Sequence, residues 1–252
     1  MVAPVALQLY SVREYAKEDF EATVRRVAEM GYAGVEPAGY PGTTPEAAGR
    51  LFRELGLHVP SAHVPLPAGD QANEVLETMA AIGCSRIVSG KEPDDFSSLE
   101  QIKRTCDLFN EANEVARANG LTFGVHNHWW EYTPVDGQYP YRVMLERLDP
   151  DILFQVDTYW VQTAGLDAAE VVKELGARAP LLHIKDGPCV KGEPMTAVGE
   201  GKMDVPAVVA AGGDTTAWLI VEIDRCDGDM MACVAKSYTY LVTEGLGRGR
   251  SR

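Results

Sequence analysis

Two periodicities of apolar positions alternate along this chain, and the switch recurs eight times. Short apolar runs, several rich in β-branched residues, predict strands over 5–10, 33–36, 57–63, 85–89, 121–128, 152–157, 180–185 and 217–224. Segments with apolar residues three or four apart lie between them. In 18–30 these are Phe20, Val24, Val27 and Met30, followed by Gly31 as a helix stop. Thr44 and Pro45 read as the N-cap and first residue of a second helix, which Gly56 ends. Further helices are predicted over 70–82, 98–119, 141–148, 167–175, 205–211 and 230–242. Strand–helix alternation implies a parallel sheet. Eight such units in 252 residues match the size of a single closed (β/α)8 TIM barrel. A doubly wound open sheet is the rival, but no G-x-G-x-x-G follows the first strand. No Pro-, Gly- or Ser-rich linker divides the chain, so residues 1–244 read as one α/β domain. The last eight, 245–252 (GLGRGRSR), read as a basic, disordered tail.

Charge narrows the partners. Lys plus Arg is 23 against 37 Asp plus Glu, a net charge of −14. Nucleic acid is bound largely by neutralising phosphates, so a nucleic-acid partner is not expected. No apolar run reaches membrane-helix length, and the first residues lack a charged n-region, so neither a membrane nor a secretory role is expected. Cys84, Cys106, Cys189, Cys226 and Cys233 form no C-x-x-C pair and read as reduced thiols in a cytoplasmic protein.

The chemistry collects at the strand C-terminal ends, where barrels of this class place active sites. Four of the five histidines lie there: His63, His126, His128 and His183. Alternation puts His126 with His128 on one face, Leu181 with His183 and Lys185 on another, and Ile220 with Glu222 and Asp224 on a third. Imidazoles and carboxylates converging on one point suit a divalent cation, with Asp157, His183 and Glu222 as the leading ligands. A hydrogen-bonded polar mouth without metal is the alternative. Glu36 is read either as part of the site or as the partner of a basic neighbour. Lys185 is read either as a group on a substrate oxygen or as the partner of a carboxylate. The loop Val198-Gly199-Glu200-Gly201 is glycine-rich but lacks the lysine and spacing of a P-loop, so no phosphorylated substrate is inferred.

Seven segments in order carry a family resemblance: LQLYSVR (7–13), GYAGVE (31–36), HNHWWEY (126–132), DTYWVQTAG (157–165), HIKDG (183–187), VGEGKMD (198–204) and WLIVEID (218–224). Together they resemble the sugar phosphate isomerases/epimerases of the xylose isomerase-like (AP endonuclease 2-type) barrel superfamily. The resemblance implies one divalent metal ion (Mn, Zn, Co or Fe) held by residues on strands five to eight. It places Asp157, His183 and Glu222 on the last three strands. His126 stands where many members have a glutamate. Either His126 takes that place, or Glu131 reaches in, or the metal is weak or absent.

The implied activity is a metal-dependent isomerase or epimerase of a sugar or keto-sugar in carbohydrate metabolism, working by proton transfer through a metal-stabilised enediolate. His128 and Glu131 on one side and Glu222 on the other are the acid/base candidates, with Lys185 assisting. Gln8, Tyr10, His63, Trp160 and Arg225 are the expected substrate contacts, and Trp129 and Trp130 are further stacking candidates. A lyase or dehydratase acting on keto-sugars, keto-glycosides or inososes uses the same site. A sugar-binding barrel without catalysis is the rival outside enzymology. A DNA-repair endonuclease shares the superfamily but is disfavoured by the charge. The partner is thus a small carbohydrate, and the resemblance allows a homodimer.

Overall fold

The computed structural model describes residues 2–250. Eight parallel strands, β1 (Val5–Gln8), β2 (Gly34–Glu36), β3 (Ala62–His63), β4 (Arg86–Ser89), β5 (Thr122–His126), β6 (Leu153–Asp157), β7 (Leu181–Ile184) and β8 (Trp218–Val221), run in the order β2-β1-β8-β7-β6-β5-β4-β3. The seam between β2 and β3 is bridged rather than fully laddered. Val35 N–H donates to the His58 carbonyl at 2.9 Å, and His63 N–H to the Pro37 carbonyl at 2.9 Å. The strand expected over 57–63 is therefore interrupted. Pro60 within it has no N–H to give a ladder. The result is a nearly closed (β/α)8 barrel, as the sequence predicts.

Among the described residues ten α-helices pack outside: α1 (Arg13–Glu18), α2 (Phe20–Met30), α3 (Pro45–Glu54), α4 (Ala72–Ile82), α5 (Leu99–Ala118), α6 (Pro140–Arg147), α7 (Thr158–Thr163), α8 (Ala168–Leu175), α9 (Val205–Gly212) and α10 (Met230–Thr243). Their starts follow capping chemistry: Thr44, Ser98, Asp167 and Asp229 each accept a backbone N–H of the first turn. Two short helices, α1 and α7, go beyond the sequence reading. Extended Asp19 separates α1 from α2 and caps the latter. Asp157 ends β6 and caps α7 with the same carboxylate.

Two apolar layers result. A large one fills the space between strands and helices. A small one inside the barrel contains Ala6, Val88, Leu181 and Ile220, with Trp218 against it. Above this floor the interior turns polar, which positions the site.

The tail departs from expectation. Residues 245–250 are held on the barrel's lower end: Arg248 N–H donates to the Ala3 carbonyl and Val5 N–H to the Arg248 carbonyl, both at 2.9 Å. These bonds pair the tail with the chain start as an extra bridge, so disorder does not begin at Gly245. Ser251 and Arg252 lie outside the described residues. Among the described residues no helix is long and apolar enough to cross a membrane.

Buried Gly49 in α3 marks the closest approach to α4. A Cβ there would lie 2.3 Å from the Ala81 carbonyl oxygen. Alanine favours a helix over glycine by about 1 kcal/mol, but backbone cannot yield as a side chain does. Gly49→Ala is expected to destabilise by about 1–3 kcal/mol, read as a lower urea midpoint. An unchanged or higher midpoint would contradict this packing.

Candidate active site

His183 stands at the centre of the polar interior. β7 sends Leu181 to the apolar floor and His183 to the layer above it. Its Nε2 lies 2.6 Å from Glu36 Oε2 and its Nδ1 2.8 Å from Glu222 Oε2. Burial disfavours a charged ring, but the two carboxylates outweigh it and raise the pKa to about 10. The ring is thus an imidazolium donating to both. Burial likewise opposes ionisation of Glu36, yet His63 and His183 hold it down at about 2. So Glu36 has a basic partner, from β7.

Gln155 sets the tautomers of two further histidines. Its Nε2 donates to Glu36 Oε1 at 2.6 Å, so its Oε1 faces the other way. That oxygen meets His63 Nε2 at 2.6 Å and His126 Nδ1 at 3.1 Å. A carbonyl oxygen can only accept, so both ring nitrogens donate. His126 is left with a lone pair on Nε2. Burial, then the neighbouring rings of His183, His63 and His128, keep it neutral, well below its ordinary pKa. Ser61 completes the network by donating to Glu36 Oε1 at 2.7 Å.

Lys185, just past β7, is buried among carboxylates. Its Nζ lies 2.9 Å from Asp157 Oδ2, 2.9 Å from Glu222 Oε2 and 3.0 Å from Asp224 Oδ2. Burial opposes its charge, but these three hold its pKa well above the ordinary value. It is therefore an ammonium, not a base. Glu222, desolvated but facing Lys185 and His183, is held well below the usual carboxylate range.

A cavity of about 410 Å³ opens over this layer. His63, His126, Lys185, Glu222 and Asp224 face it from below, with His128, Trp160 and Tyr10 around it. Gly90, Lys91 and Glu92 after β4, and Ala38 after β2, complete the wall. Glu131 is buried behind His128. Its Oε2 accepts the His128 backbone N–H at 2.8 Å, and its Oε1 lies 3.8 Å from His128 Nδ1. Burial pushes the Glu131 carboxyl up, against the pull of His128. The ring of Trp130 stacks on that of His128, with centroids 4.1 Å apart.

The expected substrate contacts divide. His63, Tyr10 and Trp160 line the cavity, whereas Gln8 and Arg225 do not. Gln8 is buried at the end of β1, where its Oε1 accepts the Tyr10 N–H at 3.0 Å; its Nε2 has no partner among the described residues. Arg225 turns to the Gly192 carbonyl instead of the cavity. Trp129 packs edge-on against Trp160, with ring centroids 5.0 Å apart, in the rim.

Sequence reasoning missed Gln155, Ser61 and Asp186. The first two stand two residues before Asp157 and His63 in the expected strands, so alternation puts each on the same face as its neighbour. Asp186 explains the glycine-rich loop. Its carboxylate accepts the backbone N–H groups of Gly187, Gly199, Gly201 and Met203 at 2.8–3.1 Å. A Cβ on Gly201 would lie 2.1 Å from Asp186 Oδ1. The loop is thus a cradle for the protein's own carboxylate, not for a phosphate.

The donors fit a divalent cation. His126, Asp157, His183 and Glu222 each offer one ligand atom, all within 4.8 Å of one another. Asp157 Oδ2 is buried with no hydrogen bond aligned on it, although Lys185 is near. His183 can ligate through Nδ1 on losing that proton, with Glu36 still orienting Nε2–H. Lys185 keeps Asp224 as its partner. Glu131 is absent from this group of possible donors, and His126 is among them.

The comparisons with known proteins agree with this architecture. A family model, the xylose isomerase-like TIM barrel, matches residues 24–230. A sugar phosphate isomerase/epimerase from Parabacteroides distasonis is 25% identical, with TM-score 0.80 over 95% of this chain and 98% of that one. A probable 3-DHS dehydratase from Bacillus anthracis is 13% identical, with TM-score 0.73 over 95% and 98%. The IOLI protein, whose structure holds a zinc atom, is 12% identical, with TM-score 0.72 over 96% and 98%. At such identity the last two attest the fold. No curated protein matches the chain. With four-fifths of its length under the family model, the chain belongs to the xylose isomerase-like TIM-barrel family.

Proposed function

We propose that this protein is a metal-dependent isomerase or epimerase of a sugar or keto-sugar, moving a proton beside a carbonyl. One observation carries the reading: two members of a four-donor cation set, His126 and Glu222, line the same cavity as the separate imidazole of His128. The donor set is His126, Asp157, His183 and Glu222. A divalent ion held there would supply Lewis acidity toward a substrate carbonyl oxygen.

The chain's own groups supply the rest. His128 presents its ring to the cavity and is the group that takes or returns the carbon-bound proton. Glu131 acts through His128, because it sits behind that ring. Glu222 faces the reacting region from the other side. Lys185, fixed by three carboxylates, steadies developing negative charge nearby. Trp160 and Tyr10 form the apolar and aromatic walls against which a sugar ring lies.

A second reading uses the same residues. His128 is a competent acid for a leaving oxygen, so loss of a β-substituent would make a lyase. Product mass in D2O separates these. Proton transfer is expected to give an isomer carrying at most one added deuterium at the reacting carbon. A lighter product would instead establish elimination. Binding without turnover, across keto-sugars and metals, would overturn both. His128→Ala should lower kcat by about 10²- to 10⁴-fold.

The Glu36–His183 pair also predicts a pH signature of the metal-free protein. His183 rises from 6.5 to about 10 on folding, so its contribution is complete below pH 6.5 and fades as pH climbs toward 10. Glu36 falls from 4.5 to about 2, so its contribution is complete above pH 4.5 and is lost as pH falls toward 2. The melting temperature of apo protein is expected to peak between these limits. Glu36→Gln should lower it and flatten the alkaline slope. An alkaline slope unchanged in that variant would show that His183 is not charged by Glu36.

A further inference from the structure

The lower end of the barrel, opposite the candidate active site, holds a cavity of about 780 Å³. In a chain of net charge −14, this cavity is lined by three arginines: Arg53, Arg248 and Arg250. Among the described residues none of them has a carboxylate at ion-pair distance. Glu54 borders the same space, but its carboxylate pairs with Arg25 at 2.7 Å.

The arginines are placed by a built element. In the extended tail, residues 247–250 read Gly-Arg-Gly-Arg. A Cβ on Gly247 would lie 2.4 Å from Val5 Cγ2, and one on Gly249 2.0 Å from Tyr238 Oη. The glycines therefore face the barrel, and alternation turns both arginines outward to the cavity. Arg250 spends part of its fork on the Leu55 and Ala28 carbonyls, at the ends of α3 and α2. Arg248 gives only Nε, to the Val2 carbonyl at 3.2 Å. Arg53 reaches the Ala81 carbonyl at 3.4 Å. Most of the fifteen N–H donors of three guanidiniums remain without a partner among the described residues. The cavity also has an aromatic side, where the rings of His58 and Trp218 lie 5.9 Å apart between centroids.

Convergent guanidiniums recognise phosphate by forked, charge-assisted hydrogen bonds. A flat ring beside them accepts a planar heterocycle. The volume is that of a small-molecule pocket. A nucleic-acid strand or an anionic membrane would meet the repelling charge of the whole chain. We propose that the barrel floor binds a mononucleotide, with Arg53, Arg248 and Arg250 on its phosphate and Trp218 beside its base.

Calorimetry of the full chain with AMP tests this, with adenosine and inorganic phosphate as comparisons. AMP is expected to bind saturably and to lose about tenfold or more in affinity in Arg53→Ala and in Arg248→Ala/Arg250→Ala, the scale of a lost charged hydrogen bond. Adenosine and phosphate should each bind more weakly than AMP. No saturation by roughly 10 mM AMP, weaker than about −2.7 kcal/mol, would overturn the proposal. So would equal binding of either comparison ligand, or unchanged affinity in Arg53→Ala. If the tail variant fails to fold, Arg53→Ala decides, because it leaves the tail's backbone bonds intact. A drop in melting temperature without any AMP effect would leave the arginines as helix-end caps and reject the site.

Discussion

A charged imidazole inside a protein must be met by counter-charge, and the interior of this barrel is arranged around that requirement. His183 is held between Glu36 on β2 and Glu222 just beyond β8, and Lys185 among Asp157, Glu222 and Asp224. Removing one partner of a buried pair leaves an uncompensated charge, at a cost of about 3–5 kcal/mol. Two cations face four carboxylates here. The formal surplus is negative, and it grows when His183 gives up the Nδ1 proton that it must lose to ligate, so a cation is favoured there. Electrostatics and donor geometry therefore point to the same ligand.

The rest of the molecule serves this layer. The apolar floor of Ala6, Val88, Leu181 and Ile220 shuts the interior off from below. Strand alternation then lifts His183, Glu222 and His126 above it in register. Asp186, next to Lys185, gathers four backbone N–H groups and ties the long loop after β7 to the strand that carries His183. Asp157 does double duty, since its Oδ1 caps α7 through Trp160 N–H while its Oδ2 faces the cation set. Capping thus holds the carboxylate of a candidate ligand at the start of α7, the helix that carries Trp160.

Much of this was legible in the sequence. The eightfold switch of period announced the barrel, and parity placed His126, His183 and Glu222 on inward faces. What stayed hidden has physical reasons. Side-chain pairing across the barrel depends on strand register, which no local pattern reports, so Gln155 and Ser61 went unseen. Arg225 follows inward Asp224 directly and so falls on the opposite parity, which could have warned against it as a substrate contact. Glu131 was read as a loop acid with reach. A tight 3-10 turn over Trp130–Tyr132 folds it back beneath His128 instead. The tail looked disordered because glycine and arginine carry no apolar period. Its order comes from close backbone approach, which is what glycine permits.

The central claim is that the polar layer holds one divalent ion through His126, Asp157, His183 and Glu222. Elemental analysis of purified protein, wild type beside Asp157→Ala and His183→Ala, tests it most directly. The account predicts about one Mn, Zn, Co or Fe per chain in the wild type and its loss in both variants. Wild-type protein that stays free of metal after reloading, or variants that retain it, would contradict the account and leave His183 and Lys185 as the cations of the site.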